Sequence, residues 1–161
     1  MINEVIKLRT LYVDDLKVVD AFLALLNNKN NKYVLTEETM NYGGVVLHHI
    51  QATKDFGRVK AGDFGGWVEK EANLSQEGDC WVYGDAKVFG NARVLGIAKV
   101  SGNAEVYDNA KVSGSAKVYD NAWVYDNALV SGNAEVSGNA EVYDNARVSG
   151  NNVVCGNETE S

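Results

Sequence analysis

The sequence predicts an all-β solenoid, and three observations carry the prediction. Valine recurs every sixth residue from Val82 to Val154 without a miss. Alanine stands two positions before the valine in every unit from Ala86 to Ala146. Turn-forming pairs such as Gly90-Asn91 separate the units. A short fixed period of this kind indicates a chain that coils on itself, so that each unit supports its neighbours.

Each unit is expected to form one short strand with one buried side. Residues two apart in a strand share a face, so the alanine and the valine point inward and the residue between them, usually charged, points outward. Gly, Asn and Asp tolerate a left-handed backbone or bond to nearby backbone groups, which predicts a turn after each strand. An α-helix would rotate successive valines by about 600° and scatter them around its surface.

The unit Ala-x-Val-x-Gly/Asp-Asn resembles the hexapeptide repeat of left-handed parallel β-helix proteins. The resemblance implies a left-handed triangular coil built from three hexapeptides. Val68 and Leu74 keep the register of Cys80 and Ala86, so the β-helix is predicted for residues 67–157. It implies no single activity, because the same prism carries acyltransferases, carbonic anhydrases, ice-binding proteins and assembly modules.

Three units per coil sort the valines onto three faces. Face one holds Val82, Val100, Val118, Val136 and Val154; face two holds Val88, Val106, Val124 and Val142; face three holds Val94, Val112, Val130 and Val148. Face two carries an aromatic and acidic ladder, which is the candidate interface together with Leu129 on face three. Its members are Phe89, Tyr107, Trp123, Tyr125, Tyr143, Asp108, Asp126 and Asp144.

Two interpretations of this ladder stay open. An exposed set of aromatic and apolar residues often marks a protein interface. Stacked rings can also simply cover the coils and stiffen the sheet. The aspartates offer a similar choice between binding cations and accepting hydrogen bonds from turn amides.

Residues 1–31 are expected to form a separate helical segment. Asp14 or Asp15 can cap a helix that places Leu16, Val19 and residues as far as Leu26 on one apolar side. This side packs either on the body of its own chain or on a second copy.

Residues 32–66 are predicted to form a β-hairpin and cap. The two strands are residues 33–36 and 45–50, joined through residues 41–44. His48 and His49 would face opposite sides, one packed and one solvated, which makes them a poor metal pair. No further histidine exists to complete a three-histidine zinc site, so neither a metal nor a cofactor is expected.

The segments 55–57 and 63–65, both Asp-Phe-Gly, are expected to be turns with aromatic plugs. Phe56, Phe64 and Trp67 would then cover the first coil with the hairpin. The stretch from Lys54 to Gly78 resembles the entry segment of bacterial and phage-borne hexapeptide proteins that carry the label of transferases. The resemblance implies a phage or prophage origin and, by analogy, inhibition of a host defence protein.

The far end of the solenoid shows no cap in the sequence. Residues 158–161 form a charged tail that either blunts the open edge or leaves it for a second subunit. Cys80 lies in phase with the inward alanines, and Cys155 lies about four coils further on, too far for a disulfide. Two free thiols agree with a reducing compartment.

The composition of the chain argues against some classes of binding partner. The 161 residues carry a net charge of −7, which argues against nucleic acid and is compatible with a basic protein partner. No apolar run is long enough for a membrane span, and no signal peptide is recognisable, so a cytoplasmic location without membrane contact is expected.

These observations favour a non-catalytic protein-binding or assembly module that forms a homo-oligomer, most simply a dimer. The first alternative is a hexapeptide acyltransferase that uses acyl-CoA, for which only His48 or His49 could serve as base. The second is a small-molecule or nucleotide binder on face three, where basic residues stand beside serines. Those residues are Arg93, Lys111, Arg147, Ser113, Ser131 and Ser149.

Overall fold

The computed structural model describes residues 16–19 and 31–161 of the chain. The chain divides into two compact units, residues 1–31 and 32–161. Residues 16–19 are helical and their side chains are exposed. The remainder of the predicted helix, as far as Leu26, lies outside the described residues.

The second unit begins with a hairpin. Strand β1, Tyr33–Tyr42, pairs antiparallel with β2, Val45–Ala52, and β2 pairs antiparallel with β3, Phe64–Val68. The hairpin was predicted correctly, but its turn is the two residues Gly43 and Gly44, and β1 is six residues longer than the predicted strand 33–36. A 3₁₀ helix, Glu71–Asn73, then leads into the coils.

The coils form three parallel sheets from strands of two residues each. Face one contains β4 Trp81–Val82, β7 Lys99–Val100, β10 Lys117–Val118, β13 Glu135–Val136 and β16 Val153–Val154. Face two continues from β3 through β5 Lys87–Val88, β8 Glu105–Val106, β11 Trp123–Val124, β14 Glu141–Val142 and β17 Thr159–Glu160. Face three contains β6 Arg93–Val94, β9 Lys111–Val112, β12 Leu129–Val130 and β15 Arg147–Val148.

The predicted fold class is confirmed as an all-β parallel solenoid of hexapeptide repeats with a hairpin at its start. Valine pairs with valine between neighbouring coils of every face, for example Val118 with Val100 and Val136. The valines and alanines of the repeats are buried and form one continuous core with Leu74 and Cys80. Cys80 and Cys155 are both free thiols.

The corners turn through a left-handed residue, as the Gly-Asn and Asp-Asn pairs predict. Besides the corner glycines, four aspartates have positive φ, between 54° and 62°. Asparagines that follow several of these residues join neighbouring coils, as where Asn103 Nδ2 donates to Asn121 Oδ1 at 3.0 Å. The polar corners therefore hold the coils in register while the core stays apolar.

The first coil is covered by the hairpin and by the loop between β2 and β3. Trp81 points outward from face one, yet it is buried because the rings of Tyr33 and Phe56 pack edge-on against it, at 5.9 and 5.2 Å between ring centroids. Phe56 is therefore the predicted plug. Phe64 is not a plug, since it belongs to β3 and is 56% exposed.

The last residues extend the solenoid instead of forming a separate tail. Strand β17, Thr159–Glu160, pairs in parallel with β14 and adds one more rung to face two beyond residue 157. Glu158 stabilises the turn before this strand, because its carboxylate accepts a hydrogen bond from the amide of Cys155 at 3.1 Å. Both residues of this rung, Thr159 and Glu160, are exposed, so the rung contains polar side chains without burying them.

Candidate functional site

The aromatic ladder of face two forms a continuous stack. The ring centroids of Phe89 and Tyr107 are 5.1 Å apart, those of Tyr107 and Tyr125 are 5.0 Å apart, and those of Tyr125 and Tyr143 are 5.4 Å apart. The planes of neighbouring rings deviate by 12° or less. Each ring follows the inward valine of its coil, so the coil spacing sets the ring spacing. All four side chains are half-buried, because each ring covers its neighbour.

Trp123 is the most exposed aromatic residue of the candidate interface. It lies in β11 between Glu105 and Glu141 of the neighbouring coils, and 42% of its surface is exposed. The surface around the tryptophan is therefore aromatic and acidic together.

Two tyrosine hydroxyls, one in the ladder and one in the hairpin beside it, donate hydrogen bonds to carboxylates. The Tyr125 hydroxyl donates to Glu141 Oε2 at 3.0 Å, and the Tyr42 hydroxyl donates to Glu105 Oε1 at 2.5 Å. Burial and the neighbouring Glu141 carboxylate raise the pKa of Tyr125 to about 12. The hydrogen bond to Glu105 is the main reason that the pKa of Tyr42 rises to about 12. Burial also raises the pKa of Tyr107.

The hairpin covers the first ring of the ladder. Tyr42 packs edge-on against Phe89 at 5.9 Å, and the Lys87 ammonium lies 4.7 Å from the centroid of the Tyr42 ring. Glu105 is only 8% exposed under this cover, where Lys87 balances its charge at 3.6 Å. Because Tyr42 stands 63 residues from Glu105 in the chain, the sequence contains no local signal for this contact.

The aspartates of the corners are partly used within the fold. Asp126 Oδ2 accepts a hydrogen bond from the amide of Asp144 at 3.2 Å. Asp120, which was not in the candidate set, accepts in the same way from the amide of Gly138. These contacts favour the interpretation that the carboxylates satisfy turn amides. Leu129, the other candidate, lies in β12 on face three and is half-buried.

Both histidines are packed, so the prediction of one packed and one solvated histidine is wrong. The His49 ring stacks between Phe64 and Trp67, at 4.9 and 4.6 Å between centroids. Its Nδ1 lies 3.0 Å from a Glu38 carboxylate oxygen and its Nε2 lies 2.9 Å from the Gly65 carbonyl. His48 is half-buried with Nδ1 3.2 Å from the Thr36 carbonyl. Three of the four ring nitrogens of the two histidines thus have a hydrogen-bond partner within the fold.

The basic residues of face three do not converge. Arg93 pairs in register with Lys111, but Leu129 stands between Lys111 and Arg147. All three basic side chains are exposed. The serines beside them therefore border an interrupted basic column and not an enclosed anion site.

Lys32 is a buried cation that the sequence analysis missed. It is 1% exposed, and its ammonium donates to the carbonyl of Cys80 at 2.9 Å and to that of Gly78 at 3.2 Å. The ring of Phe56 lies 5.0 Å from the same ammonium. Burial lowers the pKa of Lys32. The contacts anchor the start of the hairpin to the first coil, 46 and 48 residues away, where no sequence pattern predicts them.

The described part of the chain contains neither a cluster of metal-ligating side chains nor a membrane-spanning helix. Within residues 16–19 and 31–161, no three His, Cys, Asp or Glu side chains lie together as metal ligands would. No helix in the same residues has the length and apolar character of a membrane span.

Comparison with known proteins supports the architecture and says little about activity. Residues 140–156 match the family described as YdcK Beta solenoid repeat. A stretch of 60 residues is 42% identical to the Uncharacterized acetyltransferase YdcK of Escherichia coli (strain K12). That match covers 32% of this chain and only 18% of the relative. Neither match bears on a phage origin or on host defence. The chain is a hexapeptide-repeat parallel β-solenoid, part of which is similar to the YdcK repeat.

Proposed function

We propose that this protein is a non-catalytic protein-binding module whose contact surface lies on face two. We call this surface the aromatic strip and define it as Tyr107, Trp123, Tyr125 and Tyr143. The observation that carries the proposal is the geometry of the strip: a parallel stack of rings beside a tryptophan that is 42% exposed.

The strip has the physical properties of a binding surface. Tyrosine and tryptophan are the residues that most often contribute the binding energy of protein interfaces. Stacking and the Tyr125–Glu141 hydrogen bond already fix the tyrosine rings of the strip, so these side chains lose little entropy on binding. The hairpin covers Phe89 at the start of the ladder and leaves the strip uncovered within the described residues.

Charge favours a partner with basic residues. Glu141, Asp108 and Asp144 border the strip, and the chain carries a net charge of −7. An opposite charge at the rim speeds association and excludes acidic competitors. A host defence protein with a basic face is one partner of this chemistry, and a second copy of the chain is another, held by the rings against the repulsion of like charges.

A matched pair of variants tests the proposal. Trp123→Ala with Tyr125→Ala removes two rings from the strip. Tyr119→Ala removes a tyrosine from face one that bonds to Glu135 as Tyr125 bonds to Glu141. We expect cross-linking in a bacterial lysate to join the parent and the Tyr119 variant to the same partner, and the double variant to lose it. Equal capture by all three proteins at equal melting temperature would refute the strip as the interface.

Acetyl transfer is the second candidate, because the matching stretch belongs to a relative that is named an acetyltransferase. His48 Nε2 is the one histidine nitrogen of the hairpin that a substrate could still use. We expect purified protein to release no thiol from acetyl-CoA with a panel of amine and hydroxyl acceptors. Turnover that disappears in His48→Gln would establish the enzyme instead.

A further inference from the structure

Face one alternates between tyrosine and serine where face two is continuously aromatic. This alternation suggests a second binding site, which is separate from the aromatic strip of the proposed function. The residues that follow the valines of face one are Tyr83, Ser101, Tyr119, Ser137 and Cys155. Strand pairing places Tyr83, Ser101 and Tyr119 in three successive coils. On face two the residues that follow Val88, Val106, Val124 and Val142 are all aromatic, and their rings stack at 5.0 to 5.4 Å. Ser101 therefore stands where a ring is missing between two tyrosines.

The missing ring leaves a cleft. Its volume is about 450 Å³. The residues that line it include Tyr83, Lys99, Ser101, Lys117, Tyr119 and Asp120. Coils about 4.8 Å apart put the two tyrosines roughly 10 Å apart along the solenoid, so one planar ring fits between them at about 5 Å from each. This is the spacing that the protein itself uses in the ladder of face two.

The cleft carries positive charge. Lys99 and Lys117 are neighbours in register on its floor. Lys117 pairs with Glu135 at 2.6 Å, whereas no carboxylate of the described chain lies within ion-pair distance of Lys99. The one acidic group of the lining, Asp120, already accepts a hydrogen bond from the amide of Gly138 in the next coil. Lys99 is therefore the cation best placed to meet an anion in the cleft.

We propose that this cleft binds a small planar aromatic molecule with an anionic group. The ring lies over Ser101 between Tyr83 and Tyr119, and the anion contacts the Lys99 ammonium. The serine hydroxyl lies at the base of the cleft as a further hydrogen-bond donor. A nucleoside monophosphate and an aromatic carboxylate share this chemistry, and the experiment separates them.

Binding is measured by chemical-shift titration of the full-length protein with two sets of probes. The first set is adenosine monophosphate, adenosine and ribose 5-phosphate; the second is indole-3-acetate and indole. We expect a compound that has both ring and anion to bind about tenfold or more tightly than its fragments, with shifts at Ser101, Gly102 and Tyr119. The set that shows this difference identifies the source of the ligand. The proposal is overturned if neither set moves these resonances.

Filling the gap supplies the decisive variant. Ser101→Tyr completes the column of rings and should abolish binding, because its own ring takes the place of the ligand. Ser113→Tyr introduces the same residue at the equivalent position of face three and should bind like the parent. Lys99→Gln should weaken binding of the anionic probe about tenfold and leave that of the neutral ring unchanged.

The experiments distinguish loss of binding from loss of folding, and the cleft from the aromatic strip. Circular dichroism confirms that each variant is folded, and Tyr119→Ala replaces Ser101→Tyr if the latter is not. A Ser101→Tyr protein that is folded and still binds the probe would refute the cleft as the site. Loss of partner capture in the variants of the aromatic strip would leave this titration unchanged, because the strip lies on face two.

Discussion

At the scale of the residue, position within the unit decides what a side chain can do. Val118 is fully buried between Val100 and Val136, while Lys111, one unit earlier, lies at an exposed outward position. The core has no polar partner for a charge at position 118, because valines and alanines surround it.

Val118→Asp should therefore lower the free energy of unfolding by about 3 kcal/mol or more, the cost of an unpaired buried charge. Lys111→Asp is the control, since it introduces the same residue on the outer side and should change stability by less than about 1 kcal/mol. Urea denaturation of both proteins measures the difference. Equal midpoints would mean that the inward assignment is wrong.

The tyrosines bonded to carboxylates predict how stability depends on pH. The pKa of Tyr42 and that of Tyr125 rise to about 12 in the folded protein, against about 10 in an unfolded chain. A raised pKa means that the folded state holds its proton longer than the unfolded state does. The stabilisation is thus complete below pH 10 and is lost as the pH rises from about 10 to about 12.

Phenolate absorbance should accordingly show a late titration step in the parent that becomes smaller in Tyr42→Phe and Tyr125→Phe. Thermal melts should move to lower temperature above pH 10. Titration of every tyrosine of the folded protein near its ordinary value would contradict the two hydrogen bonds.

At the scale of the element, the corners combine backbone conformation with close approach. Gly78 and Gly84 both have positive φ, +68° and +61°. A Cβ atom at Gly78 would overlap the carbonyl oxygen of Gly96 in the next coil, whereas at Gly84 the nearest atom, the Gly102 oxygen, lies at 3.6 Å. The two positions therefore separate the cost of the conformation from the cost of crowding.

Gly84→Ala should destabilise the protein by about 1 kcal/mol, because alanine is strained in this conformation. Gly78→Ala should lower the free energy of unfolding by at least about 1 kcal/mol more than Gly84→Ala does, since the coils must also move apart. Calorimetry of the two variants gives the comparison. Equal losses would show that the coils can separate at this corner without cost.

At the scale of the whole molecule, we predict a dimer through the aromatic strip. Two copies related by a two-fold axis can place Trp123 and Tyr125 against their equivalents, the simplest arrangement for identical subunits. The parent should scatter light with twice the chain mass at micromolar concentration. Trp123→Ala with Tyr125→Ala should shift it to the monomer, because central aromatic anchors contribute about 2 kcal/mol or more each.

The dependence of association on salt concentration distinguishes a dimer from a complex with a basic partner. Screening of the like charges of Asp108 and Asp144 should strengthen a dimer and weaken a complex with a basic partner. A monomeric parent at all salt concentrations would exclude self-association through face two and leave the basic partner of the proposed function.

The repeat by itself determined the solenoid. A period of six with Ala and Val two apart specifies which side of each strand is buried, and the corner residues specify where the chain turns. These are local rules, repeated in every unit, so the sequence was enough to predict the three faces and the order of the rings. The same rules placed Trp123 on face two, where strand pairing in the structure sets it between Glu105 and Glu141.

Only the tertiary structure decided what covers the solenoid and what remains open. Lys32 and Tyr42 reach partners 48 and 63 residues away, and Phe64 is exposed although its neighbour Phe56 is packed. Such contacts occur once in the chain and follow no period, so no pattern predicts them. The cleft over Ser101 combines both origins: the repeat places a serine between two tyrosines, and the tertiary structure shows that this leaves a volume of about 450 Å³ beside Lys99.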